Sequence, residues 1–247
     1  MPEQPFEPTP TPPAETPPSA SMWEDFIDIF YAPSSVFERR RGAQWWPVLV
    51  ILAVVLAALF FLWHRTMLPV FDLETQRQMA TRAQQMTPEQ IQNASRLGGI
   101  FGAVGILIVF PIGVFLVGLL LWGLGRAFGA AVTLGSMMLV ATYAQIVRVP
   151  QYLAGIVQSL FLDVGHMDSI HDVSLGLDRF MNQPDTSAAL LALASRVELF
   201  TLWATILLAI GLHVIGRIPK ARAYAVAFLI WALATIPAML GGLLGSR

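Results

Sequence analysis

Residues 199–233, LFTLWATILLAIGLHVIGRIPKARAYAVAFLIWAL, hold two long neutral runs split by a short turn carrying Arg217, Lys220 and Arg222. No acidic residue interrupts the stretch. A bilayer core needs about 20 consecutive apolar residues per helix. Backbone amides find no water in hydrocarbon, so each run must close its hydrogen bonds internally as a helix. The pattern of a neutral run ended by a charged hinge recurs along the chain. Spans are expected from Trp45 to Trp63, Gly98 to Leu124, Ala131 to Leu162, Ala188 to Gly216 and Tyr224 to Leu244. The expected fold class is all-α, a polytopic membrane protein with five transmembrane helices.

Composition agrees with that pattern. Of the 247 residues, 55% are hydrophobic and only 13% charged, against roughly a quarter charged in soluble domains. No basic stripe is long enough to hold a nucleic acid. Without cysteine, disulfides, thiol nucleophiles and thiolate metal sites are excluded. Arg39, Arg40 and Arg41 precede the first span, Arg126 lies in the turn after the second, and Arg217, Lys220 and Arg222 follow the fourth. Short basic connections face the cytoplasm, so the N-terminus is expected inside and Arg247 outside. The stretch DVGHMDSIHDVSLGLDRFMNQPD (163–185), on the opposite side, is net acidic. Trp45 and Trp46 then fall at the inner headgroups and Trp63 at the outer ones.

Residues 1–21 are acidic and proline-rich, a composition that favours a disordered tail over a secretory signal. PTPTPP within it also has the spacing of a proline-recognition ligand. The membrane domain is expected to cover 22–245, with short cytoplasmic helices in 22–43. Ser21 and Glu24 have capping-box spacing. After them Trp23, Phe26, Ile27 and Phe30 form one apolar face, with Glu24, Asp25 and Asp28 on another. That apolar face is expected to dock on the protein's own cytoplasmic side; the competing reading is a helix laid into a partner's groove. Thr87, Pro88 and Gln90 read as a helix start that runs into the second span, where Pro111 is expected to bend it. Gly98 and Gly102, like Gly241 and Gly245, have GxxxG spacing. Such glycines serve packing within one bundle or a homo-oligomer face.

The third span carries TYAQIVRVPQY (142–152), unusually polar for hydrocarbon. Arg148 lies roughly 25 Å along its helix from the inner side, and Glu198 roughly 28 Å from the inner end of the next, antiparallel one. An arginine in hydrocarbon costs at least about 2.5–3.5 kcal/mol when unpaired, so an Arg148–Glu198 pair is expected. Tyr143, Gln145 and Gln151 should gather around it and Arg196 should turn to the headgroups. Pro150 is expected to kink the helix just above Arg148. Two readings stay open: a long helix bending into the interface, or a polar pocket of the kind transporters build from broken helices.

Weaker chemistry is present elsewhere. His166, Asp168 and His171, flanked by Asp163 and Asp172, have spacings that would suit a metal on one helical face, but they read equally as a solvated acidic loop. Ser136 and His213 lie at similar depth near the inner boundary, as a nucleophile and base would. Local backbone bonding and snorkelling explain them as well. There is no phosphate-binding glycine loop with its lysine and no HExxH, and nothing implies a cofactor.

YAPSSVFERR (31–40), GLGRAFGAAVTLGSMMLVATYAQ (123–145) and the stretch quoted first together resemble the Yip, or Ypt-interacting-protein, domain family over roughly residues 22–245. The positions that carry the likeness are Pro33, Phe37, Gly125, Phe128, Tyr143, Phe200, Trp203, Gly211, Gly216, Lys220 and Ala221. The family's proline after this tyrosine comes sooner than Pro150 does here. The resemblance implies five spans, a cytoplasmic N-terminus and no catalytic residues; eukaryotic relatives are linked to Rab-type GTPases, and prokaryotic ones have no settled role. An Ala-, Arg- and Trp-rich, lysine-poor chain points to a bacterial cytoplasmic (inner) membrane. The leading expectation is a non-enzymatic protein that organises membrane or recruits partners on its cytoplasmic side. The alternatives are a small transporter or channel, and an intramembrane hydrolase.

Overall fold

The computed structural model describes residues 21–69, 88–161, 174–181 and 186–245. Its elements are helical among the described residues, apart from an isolated bridge between Gly176 and Glu198. Helix α1 (Met22–Tyr31) starts on the expected capping box: the Glu24 amide donates to Ser21 Oγ at 3.4 Å and the Ser21 amide to Glu24 Oε2 at 3.1 Å. Pro33 opens α2 (Pro33–Arg39) at a position where the missing amide has no helical partner to lose. Helix α3 (Trp46–Thr66) is the first long apolar element.

Helix α4 (Pro88–Ala127) runs for 40 residues, roughly 60 Å at 1.5 Å per residue. Pro111 sits inside it without ending it. The proposed cap Thr87 lies outside the described residues. The far end closes on Gly129, whose φ of +92° is open to glycine. There the Ala130 amide donates to Gly125 O and the Gly129 amide to Arg126 O, at 2.8 and 3.0 Å, the two bonds of a Schellman cap. Thr133 then caps α5 (Leu134–Ala144).

The third expected span is two helices. After α5 the chain tightens into a 3₁₀ turn at Gln145–Val147 and resumes as α6 (Arg148–Ser159). The break therefore falls below Arg148 rather than above it. Pro150 sits in the first turn of α6, where a missing amide does least harm. The fourth expected span is also divided, into α7 (Ala188–Ala194) and α8 (Leu199–Gly216). Between them Glu198 is extended (φ −131°, ψ 155°), and the Val197 carbonyl accepts from the Leu177 amide from outside the helix, at 3.3 Å. Helix α9 (Lys220–Gly245) completes the bundle.

Among the described residues, three helical stretches are long and apolar enough to cross a membrane: Trp46–Thr66, Arg96–Ala127 and Leu199–Gly216. Only 17% of the best window in α4 is buried against protein, compared with 50% in α8. Ile100, Phe101, Val104, Ile108, Ile112 and Phe115 of α4 face outward. A contiguous apolar face of that length suits lipid, not water.

Helices α3 and α4, and α4 and α9, run antiparallel, while α3 and α6 run parallel with their C-terminal ends together. At one end, Ser159 Oγ donates to Thr66 Oγ1 at 2.9 Å, and a Cβ on Gly99 would stand 2.6 Å from His64 Nδ1. At the other end, Arg41 donates to Val214 O, and Arg222 Nη1 donates to Phe128 O at 3.4 Å. Gly99 and Gly102 are thus used inside the bundle, against His64 and Phe60 of α3. The core joins Leu121, Met137, Val140, Leu207 and Leu212 to Ile29, Val36 and Phe37 of the α1–α2 hairpin. Gly211 makes that seat: a Cβ there would overlap Val140 and touch Phe37.

Candidate functional site

Two polar clusters are built into this apolar bundle. The first lies where the 3₁₀ turn before α6 and the break before α8 face each other. Arg148 opens α6 and Glu198 precedes α8. Arg148 Nη1 stands 3.4 Å from Glu198 Oε1 and 2.7 Å from Gln151 Oε1, while its Nε donates to Gln145 Oε1 at 3.3 Å. Gln151 Nε2 donates to Glu198 Oε1 at 2.7 Å, and Thr201 Oγ1 donates to the same oxygen at 2.6 Å. Gln151 is therefore a relay: it accepts from the cation and donates to the anion. Glu198 is only 7% exposed. Such a carboxylate is tolerable only when donors converge on it, and here three side chains do.

Two cavities border this cluster. One of about 580 Å³ lies between α3, α4, α6 and the break before α8. The other, of about 290 Å³, lies between α4, α8 and α9. Arg148, Arg196, Phe110 and Thr201 line both. Arg196 was expected at the headgroups; it is instead turned inward, its Nε buried without a hydrogen-bond partner. The interruption at 195–198 is the cause. Trp231 Nε1 donates to Arg196 O at 3.4 Å and holds this backbone against α9.

The second cluster lies at the hairpin, and it claims Tyr143, which the sequence assigns to the Arg148 group. Tyr143 ends up on the other side of the 3₁₀ turn and donates to Asp25 Oδ2 at 3.2 Å. Asp25 is 0% exposed. Arg39 Nε and Nη2 reach Asp25 Oδ1 at 2.8 and 2.6 Å, Arg39 Nη2 also reaches Asp28 Oδ2 at 2.6 Å, and Arg40 Nε binds Asp25 Oδ2. Burial lowers the Arg39 pKa, but bonds to Asp28 and Asp25 outweigh it and leave it raised.

Helix α1 docks differently from expectation as a result. Asp25 and Ile29 face the bundle, with Phe26 and Phe30 half-buried beside them. Trp23 and Ile27 leave the expected apolar face and join Tyr31 in an outward stripe, 64%, 63% and 83% exposed. Helical periodicity could not find this, because Asp25 is drawn inward by arginines 14 and 15 residues away and by a tyrosine 118 residues away. The available signal was the Arg39–Arg41 run itself.

The remaining candidates have separate places. Ser136 Oγ donates to Thr133 O at 2.8 Å and completes the α5 cap. His213 Nδ1 lies 2.6 Å from Ile218 O. Each is occupied locally, and the two are not paired. His166, Asp168 and His171 lie outside the described residues. No group of three metal-ligating side chains occurs among the described ones.

Comparison with known proteins agrees with the architecture. A family model described as the Yip1 domain matches residues 27–241. The chain is 24% identical over 232 residues to "Membrane protein YknW" of Bacillus subtilis (strain 168), covering 92% of this chain and 94% of that one. No solved structure matches. The match across nearly the whole helical bundle and its apolar outward faces make this chain a member of the Yip1 domain family, an integral, multi-pass protein of the bacterial cytoplasmic membrane.

Proposed function

We propose that this protein is a non-catalytic membrane organiser that recruits a protein partner on its cytoplasmic side. In this reading the chain crosses the bilayer five times, with the α1–α2 hairpin inside and Arg247 outside. The antiparallel order of its passes and the gathering of Arg41, Arg126 and Arg222 at one end support that threading. A reporter after Arg247 should respond in the opposite compartment from one at Met1.

The observation that carries recruitment is the stripe of Trp23, Ile27 and Tyr31, turned away from a helix whose other face is locked down by Asp25. Three residues at four-residue spacing are what a groove-binding helix presents. Glu24 is exposed beside them, and the tail preceding α1 carries Glu3, Glu7 and Glu15 without a basic residue. Anionic headgroups repel such a flank, so the partner is a protein with an apolar groove edged by Lys or Arg. A photo-crosslinker at position 27 of the full-length protein in native membranes tests this. The expected result is a discrete protein adduct that weakens with added salt and with Glu24→Lys, and that is absent for the same probe at Lys220. Transfer to lipid alone, or an adduct indifferent to position, overturns it.

A second reading, a small transporter or channel, is favoured by the two facing helix breaks around Arg148. Flux into proteoliposomes that Arg148→Ala abolishes, with insertion intact, would support it.

A further inference from the structure

The charges around the two cavities do not balance. Arg148 and Arg196 line both cavities, and Glu198 is the one carboxylate among the described lining residues. Its Oε1 already accepts from Arg148, Gln151 and Thr201, so its charge is committed to the helix contact. Asp178 is buried nearby but lines neither cavity, and its Oδ1 accepts from Ser174 Oγ at 2.6 Å. Among the described residues no carboxylate pairs with Arg196, and its buried Nε has no acceptor. A guanidinium offers five donors and stays protonated. Held at the wall of a cavity without a counter-charge, it is costly unless an acceptor arrives.

The cavity beyond it is amphipathic. Leu56, Phe60, Ile106 and Phe110 contribute apolar lining, and Ser174 and Ser195 contribute polar lining along with the arginines. Its volume of about 580 Å³ is in the range of small-molecule sites, about 300–1,000 Å³. We propose that Arg196 and Arg148 bind an anionic oxygen group, a phosphate or carboxylate, and that the larger cavity takes the apolar body attached to it. A planar guanidinium suits such a group because two of its donors meet two of its oxygens. The site differs from the Trp23 stripe in residues, in place and in ligand, so either can fail alone.

Native mass spectrometry of the full-length protein in a non-ionic detergent provides the test, with phosphatidylglycerol, phosphatidylcholine and inorganic phosphate as probes. Phosphatidylglycerol should be retained at about tenfold lower concentration than phosphatidylcholine, and Arg196→Gln should remove that preference, a factor typical of one charge-assisted contact. Arg196→Lys, which keeps the charge, should retain part of it and serves as the readout if the glutamine variant does not fold. Binding of inorganic phosphate alone, lost in Arg196→Gln, would support the anion contact and identify a free anion as its source. Equal retention of both lipids with no phosphate binding, or a preference unchanged in both variants, overturns the proposal.

Discussion

At the hairpin, Asp25 receives Arg39, Arg40 and the Tyr143 hydroxyl, and every partner is a protein side chain. At the helix breaks, Glu198 is equally well supplied, but a second cation, Arg196, stands beside it with no acceptor for its Nε among the described residues. Both clusters bury a carboxylate among arginines. The first is closed: its bonds tie an amphipathic hairpin to α5. The second is open: its surplus lies on a cavity. A closed charge network is evidence of a fixed joint, whereas an open one is evidence of something still to be bound.

Substitutions can break this contrast. Asp25→Ala should have the largest effect. It removes the buried carboxylate shared by Arg39, Arg40 and Tyr143, leaving Arg39 with Asp28, and should lower unfolding stability by about 3–5 kcal/mol, read as a fall in the melting transition in detergent. An effect below about 1 kcal/mol would mean that the hairpin is not held by this network. Glu198→Leu should cost about 3 kcal/mol by stranding Arg148, while Glu198→Leu with Arg148→Leu should recover roughly 1–3 kcal/mol of coupling. Losses that simply add would show that Gln151 and Thr201, rather than Arg148, satisfy the carboxylate.

Smaller changes sharpen the comparison. Gly211→Ala should cost about 1–3 kcal/mol, because Val140 and Phe37 leave no room for a Cβ. Tyr143→Phe removes one of several donors to Asp25 and should cost about 1 kcal/mol. Trp23→Ser and Ile27→Ser should leave the melting transition within about 0.5 kcal/mol, while the crosslinked adduct disappears.

Much of this fold can be read from local pattern. Helices α3, α4 and α9 follow from runs of apolar residues, and the α1 start from Ser21 and Glu24. The Arg148–Glu198 proximity follows from depth along two antiparallel helices. What could not be read depends on distant partners. SRVE (195–198) lies in an apolar run and gives no local reason to stop a helix; there the Arg196 and Val197 amides turn back to Leu193 O and Ala194 O, and the Val197 carbonyl accepts from the distant Leu177 amide. Arg196 turns inward as a consequence of that stop. Periodicity places Asp25 on a solvent face, and its actual surroundings come from the C-terminal end of α2 and from α5. Pro150 suggests a disturbed helix, and the structure has a 3₁₀ turn three to five residues earlier, at Gln145–Val147.

The Gly211 seat has a consequence for how the molecule is put together. The hairpin leaves the ribosome before the helices that seat it: the surface that receives Phe37 is made by Val140 and Gly211, which emerge more than a hundred residues later. Until then Asp25 has Arg39 and Arg40 without Tyr143. Its docking is therefore a late step, and the Tyr143 bond a signature of a finished chain.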